Sequence, residues 1–256
     1  MGWNRTTFRM NNLSILTCCY NTPREVLNLL RSVKQTSEEL PKLVLMNTST
    51  NDTELVLQEN AIPYFNYRGG THGEAVNLGL RKVKTRYVLL VDSDVIFLKD
   101  YKKAFERFKE TGCALMGVLQ GDRGGKSLYP RIDPCFCFID LDQLNEHDIK
   151  FFDHERTLKS KSLNRVYDIG STMFEDLEKA GLKIGDANME GKYYKHYEGM
   201  SWRVQKYNPH ALDTDIDFGG THNNKALYEY GLKVREQYDM DTKHLNNINV
   251  GAFLYE

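Results

Sequence analysis

The sequence predicts an α/β fold: a central, mostly parallel sheet flanked by helices, with a small antiparallel part and a C-terminal helix or lid. Three observations predict it. Apolar runs alternate with segments of helical periodicity through the first hundred or so residues, the pattern of helices packed over a parallel sheet. The strongest run, YVLLV at 87–91, carries no charge and stops abruptly at Asp92-Ser93-Asp94. The length of 256 residues, 41% hydrophobic and 27% charged, suits one domain that buries roughly 70–75% of its extended surface.

The elements follow in order. LSILTCC at 13–19 reads as a buried strand. Asn21, Thr22 and Pro23 break it and open a helix, Pro fitting the first turn, with Val26, Leu29, Leu30 and Val33 at helical spacing. A second strand covers 42–46, a polar turn 47–52, a short helix 53–60 and a third strand 62–67, closed by Gly69 and Gly70. A helix over 73–82 carries Val76 and Leu80. After the strand at 87–91, a helix over 100–111 turns Tyr101, Phe105 and Phe108 to one side. Strands are expected at 114–118 and 135–139, a loop at 121–126 and a short helix at 141–147. The charged stretch 151–162 has no regular period and reads as a mobile surface segment. A helix at 171–180, strands starting at 181 and near 193–197, an Asp/Gly-rich loop at 209–221 and a final helix at 223–240 complete the chain.

Composition excludes several classes. Lys plus Arg is 34 against 35 for Asp plus Glu, a net charge of -1, so nothing indicates attraction to nucleic acid. No apolar run is long enough to span a membrane. The N-terminal MGWNRTTFRMNN lacks the apolar core of a signal peptide. The expected location is therefore the cytoplasm, with peripheral contact at a membrane surface left open. The five cysteines have no zinc-ribbon spacing and read as small buried hydrophobes in a reducing compartment. Cys135 and Cys137, two apart in a predicted strand, should share a face.

Ligands of open α/β sheets bind beyond the C-terminal ends of the strands. Tyr20-Asn21, Asn47-Thr48-Ser49 and Asp92-Ser93-Asp94 fall at such ends. Two carboxylates at the rim of a buried strand must be solvated or neutralised. A hard divalent cation would neutralise them, and a diphosphate would complete its oxygen shell. The plainer alternative is that they cap the helix near Asp100 or solvate a loop. No Gly-x-Gly-x-x-Gly turn follows the first strand, and GDRGGKS at 121 lacks P-loop spacing.

Three blocks within 13–98, LSILTCCYNTPREVLNLLRSVKQT, LVLMNTSTNDT and GEAVNLGLRKVKTRYVLLVDSDV, together resemble the family-two glycosyltransferases of the GT-A fold. The resemblance implies a single domain over 1–256, with a nucleotide-sugar-binding half at 13–118. An acceptor-binding half with a C-terminal lid or extension would follow at 119–256. It also implies an inverting, Mn2+- or Mg2+-dependent transfer from a nucleoside-diphosphate sugar to a carbohydrate acceptor, with a UDP-sugar favoured and a hexosyl or deoxyhexosyl group moved. Tyr20 matches the residue lying against the base. Asn47 stands where the family usually has an Asp bonding to uracil, which leaves the base open. Asn77 matches the Asn of the Ala-Arg-Asn block, whose Arg is Val76 here, so that Arg68, His72 or the metal must compensate. Asp94 matches the metal ligand, and Asp92 the carboxylate near ribose or sugar.

The resemblance weakens in the second half. Asp168, before the helix at 171–180, is the positional match for the base that deprotonates the acceptor hydroxyl. It can also be read as a simple turn residue. Glu175-Asp176 lie inside that helix and read as a solvated surface pair. His196 is the expected late metal ligand, with His222 its competitor. Arg203, in a lid with Gly199, Ser201 and Trp202, would contact phosphate bidentately. Asp122, Arg123, Tyr129 and Asp133 suit an acceptor sugar. The absent Gln-x-x-Arg-Trp motif argues against a processive synthase. Two other functions fit less well. A nucleotidyltransferase or sugar-phosphate pyrophosphorylase would need a Gly-rich basic loop after the first strand. A non-catalytic glycan-binding protein on a transferase scaffold would fit Asn47 and Val76 but not the intact acids.

Overall fold

Strand β1 (Leu13–Cys19) is buried at every position, so both of its faces must be covered. The computed structural model, which describes residues 12–49, 52–121, 127–160, 165–200, 225–251 and 253–255, shows how. Leu13, Ile15 and Cys19 enter one apolar cluster and Leu16 and Cys18 the other, as the two-residue alternation of a strand requires. Helix α1 (Pro23–Thr36) starts at its proline and lays Val26, Leu29, Leu30 and Val33 on the first cluster. Strand β2 (Lys42–Asn47) pairs parallel with β1, Leu16 opposite Val44. Helix α2 (Asp52–Glu59) and the two-residue β3 (Phe65–Asn66) follow.

Helix α3 (His72–Lys82) begins with a reciprocal cap. Glu74 N–H donates to Thr71 Oγ1 at 3.3 Å, and Thr71 N–H donates to Glu74 Oε2 at 2.8 Å; the pair satisfies two amides the helix cannot bond itself. The helix packs close on β1. A Cβ added at Gly79 would stand 2.5 Å from Leu16 Cδ1. Strand β4 (Tyr87–Asp92) pairs parallel on the other side of β1, Leu90 opposite Leu16. Strand β5 (Val95–Phe97) and helix α4 (Lys102–Thr111) follow; Phe105 and Phe108 of α4 join the first cluster.

The second part of the chain uses short strands: β6 (Leu115–Gly117), β7 (Leu119–Gln120), β8 (Ser127–Leu128) and β9 (Arg131–Ile132). Strand β10 (Phe136–Asp140) is longer and lies antiparallel to β4 and β6. Helices α5 (Leu141–Glu146) and α6 (His154–Ser160), strand β11 (Arg165–Val166) and helix α7 (Ser171–Lys179) come next. Strands β12 (Ile184–Asp186) and β13 (Tyr194–His196), helix α8 (Lys225–Thr242), a 3-10 turn (Lys243–Asn247) and β14 (Leu254–Tyr255) end it. The main sheet runs β12-β6-β10-β4-β1-β2-β14, with β3 also on β2. Its strands pair parallel except around β10. This is the expected mostly parallel sheet with a small antiparallel part and a C-terminal helix.

Several expectations need correction. The described part of the stretch 151–162, residues 151–160, is not irregular: Phe151 and Phe152 are buried in the second cluster and α6 follows. Cys135 and Cys137 lie in opposite clusters, because Cys135 precedes β10 and escapes its alternation. The third strand shrinks to two residues. Strands β5, β7, β8, β9, β11 and β14 carry too few residues to leave a period in the sequence. All five cysteines are buried and unpaired. Among the described residues no helix is long and apolar enough to cross a membrane.

Candidate functional site

The buried residues Val88–Val91 and Val95–Phe97 leave Ser93 and Asp94 as the turn between two strands. Ser93 Oγ shares a 2.9 Å hydrogen bond with Thr22 Oγ1, which fixes the turn to the start of α1. Strand β13 then pairs antiparallel with β5, His196 opposite Val95. The register alone brings a histidine from a hundred residues downstream beside Asp94. The β13 end is held in turn by Tyr194, stacked on Phe136 with ring centroids 4.2 Å apart.

His196 Nε2 lies 3.3 Å from Asp94 Oδ1 and 3.9 Å from Asp92 Oδ2. One ligand atom from each of Asp92, Asp94 and His196 falls within 4.8 Å of the others. That is the spacing of groups able to converge on one cation with bonds of about 2.0–2.2 Å. Two carboxylates and one imidazole suit Mn2+ and, less well, Mg2+. Asp94 is further oriented by Met200 N–H, which donates to Oδ2 at 3.3 Å. Burial raises the pKa of Asp92; His72 and His196 oppose the rise and Asp94 adds to it. Burial lowers that of His196, yet Asp94 and Cys135 lift it to about 12.

His72 Nε2 approaches the other oxygen of Asp92 at 3.8 Å. Arg68 is instead paired with Glu54 at 2.8 Å, and Val76 is fully buried. Of the two side chains expected to compensate for Val76, only His72 is seen to reach the carboxylates.

Tyr20 is half-buried just after β1. Asn47 and Asn77 have committed amides. Asn47 is fully buried; its Nδ2 donates to Ser49 O at 2.9 Å and its Oδ1 accepts from Ser49 Oγ at 2.9 Å. Asn77 grips one peptide, donating to Phe152 O at 2.7 Å and accepting from Phe152 N–H at 3.2 Å. Arg203 and His222, with Trp202, Asp122 and Arg123, lie outside the described residues.

Asp168 stands before α7 at a bend that Gly170 makes with φ 85°, a conformation open to glycine. Its Oδ1 accepts from Ile169 N–H at 2.7 Å and its Oδ2 is paired with Arg131. Nothing in the sequence marked Arg131, a lone Arg in a two-residue strand. Glu175 and Asp176 are not a free solvated pair. Both carboxylates hold Arg156 of α6, Asp176 Oδ2 at 2.7 Å, and so tie α6 to α7.

A mostly parallel α/β domain with an acidic turn beyond a central strand, and a histidine brought beside it by a later strand, is the architecture of a GT-A-type glycosyltransferase. The family model "Glycosyl transferase family 2" matches residues 14–180, and the chain belongs to that family. The chain is similar in fold to the crystal structure of residues 1–349 of TarS from S. aureus, at 18% identity over 92% of this chain and 73% of that one, TM-score 0.50. It is also similar to the mannosyltransferase PcManGT from Pyrobaculum calidifontis, solved with GDP-Man and Mn2+, at 11% identity over 93% and 72%, TM-score 0.53. A third is glucosyl-3-phosphoglycerate synthase from Mycobacterium tuberculosis, at 13% identity over 92% and 86%, TM-score 0.52. No curated protein sequence matches.

Proposed function

We propose that this protein transfers a hexosyl or deoxyhexosyl group from a nucleoside-diphosphate sugar, a UDP-sugar in the first instance, to a hydroxyl of a carbohydrate acceptor, with inversion. The single observation that carries the reading is the convergence of Asp92, Asp94 and His196 at the end of β4. Asp94 and His196 would hold Mn2+ or Mg2+, which supplies charge neutralisation of the departing diphosphate. Asp92, the more open of the two acids, would also reach the ribose or sugar. Tyr20 would flank the base, and Arg203 would contact phosphate. Asp168 would accept the hydroxyl proton as the acceptor oxygen bonds to C1, and the C1–O(phosphate) electron pair would leave with the nucleoside diphosphate. The residues up to 118 would bind the donor and those beyond 119 the acceptor. The five unpaired cysteines favour a reducing compartment such as the cytoplasm.

The buried, committed Asn47 favours a second reading, a glycan-binding protein on a transferase scaffold. One experiment separates the readings: incubation with a panel of nucleotide sugars, Mn2+ and mixed glycan acceptors. The proposal expects metal-dependent release of free nucleoside diphosphate. Released pyrophosphate would indicate a nucleotidyltransferase, and binding without turnover the glycan-binding protein.

A further inference from the structure

A line of polar contacts joins the metal end of the site to Asp168. It starts at Asp133. Strand β10 runs antiparallel to β4 with Phe136 opposite Val91, and Asp92 N–H donates to Cys135 O at 3.0 Å. The residues just before β10 therefore lie beside the Asp92–Asp94 turn. The charge of Asp133 is felt there, adding to the rise in the Asp92 pKa that burial dominates. Asp133 Oδ1 accepts from Cys135 N–H at 3.1 Å, and its Oδ2 accepts from Gln120 Nε2. The other end of that amide, Gln120 Oε1, accepts from Arg131 Nη2 at 3.0 Å and Nε at 3.3 Å. Arg131 Nη1 donates to Ile169 O at 3.3 Å and pairs with Asp168 Oδ2.

The backbone runs beside this line. Strands β7 and β9 pair antiparallel, Gln120 directly opposite Arg131, so the two linking side chains leave the same rung of the ladder. The Arg131 side chain is only 12% exposed, against 34% for Asp168. A planar guanidinium with a fixed fork of donors can be locked by three acceptors at once. The carboxylate it holds then has little freedom to swing.

We propose that Arg131 is a positioning residue, fixed by Gln120 and Asp133, that sets the Asp168 carboxylate at one place relative to the Asp92–Asp94 turn. The inference rests on the reading of Asp168 as the base. Its logic is geometric: displacement of a reacting group by about 1 Å can cost about 10²-fold in rate. Arg131 touches no reacting atom and acts only through Asp168.

A mutant cycle tests it, read as Mn2+-dependent nucleoside-diphosphate release with water as acceptor. The donor is whichever of UDP-glucose, UDP-galactose, UDP-N-acetylglucosamine and GDP-mannose the wild type turns over fastest. Arg131→Met should lower kcat by about 10²-fold with donor KM unchanged. Arg131→Lys, which keeps the charge without the fork, should recover part of that loss and guards against a misfolded Met variant. In an Asp168→Asn background, Arg131→Met should add no further loss. An unchanged kcat in Arg131→Met, or an equal loss in both backgrounds, overturns the positioning role and leaves the base standing. Full activity in Asp168→Asn overturns the base itself, and the positioning role with it.

Discussion

Asp94 and Asp168 are both carboxylates at ends of regular elements, and the protein holds them in different ways. Asp94 sits in a turn between two buried runs, its side chain 9% exposed, with a backbone amide and an imidazole as partners. Asp168 is a third exposed and depends on an arginine from another strand. The first is placed by hydrophobic burial on either side of it. The second is placed by polar contacts between segments far apart in sequence. Burial is strong and non-directional, so it sets a backbone path; a charged hydrogen bond sets an orientation.

That contrast can be broken at its strong end first. Asp94→Ala should weaken Mn2+ binding, followed by the electron paramagnetic resonance of the free ion, by more than the roughly 10–100-fold that an outer-shell partner contributes. Asp168→Asn comes next. It should lower transfer by about 10²–10⁴-fold while leaving stabilisation by Mn2+ and UDP at the wild-type level in melting experiments. Were it to abolish that stabilisation as well, the two carboxylates would belong to one site and not two.

Packing offers the third comparison. Leu89, fully buried in β4, should cost about 2–5 kcal/mol on truncation to Ala, read as a shift of the urea midpoint. Leu119 of β7 is 44% exposed, and the same change there should stay within about 0.5 kcal/mol.

A modest effect concerns acid. Burial would raise the pKa of Asp140, but hydrogen bonds from Arg86 and Gln143 carry it below its ordinary value; Arg86 Nη2 donates to it at 2.8 Å. Its stabilisation is therefore complete above the unfolded value near ~3.9 and is lost as pH falls through the lower folded value. With Arg86 42% exposed, the contribution is about 1 kcal/mol. Asp140→Asn should remove that slope from stability measured between about pH 4 and 2, and an unchanged slope would show the pair to be inert.

The same division explains what was legible in the sequence. Strands β1, β2 and β4 are written as continuous apolar runs because both of their faces are buried, helices α1, α3 and α7 as apolar periods because one face is buried, and the Asp92–Asp94 turn shows where the β4 run stops. The buried Phe151-Phe152 pair was hidden because α6 is tied down by Arg156 on Glu175 and Asp176 rather than by a stripe. Arg131 left no trace, since its meaning lies in Gln120 and Asp168. The amide of Asn47 bonds to Ser49, a contact that no spacing reveals. Cys135 parts from the face of Cys137 because strand β10 begins one residue after it, a boundary the apolar run does not mark.

The most direct measurement is the melting temperature of the wild-type protein with Mn2+ alone, UDP alone and both together. Convergence of Asp92, Asp94 and His196 on a cation that carries a diphosphate predicts a rise with both that exceeds the sum of the separate rises. At about 100 times the dissociation constant the gain would be about 2.7 kcal/mol, or roughly 5–10 °C for a domain of this size. A melting temperature that UDP and Mn2+ together leave where each alone leaves it, or the same rise in Asp94→Ala, would contradict that convergence.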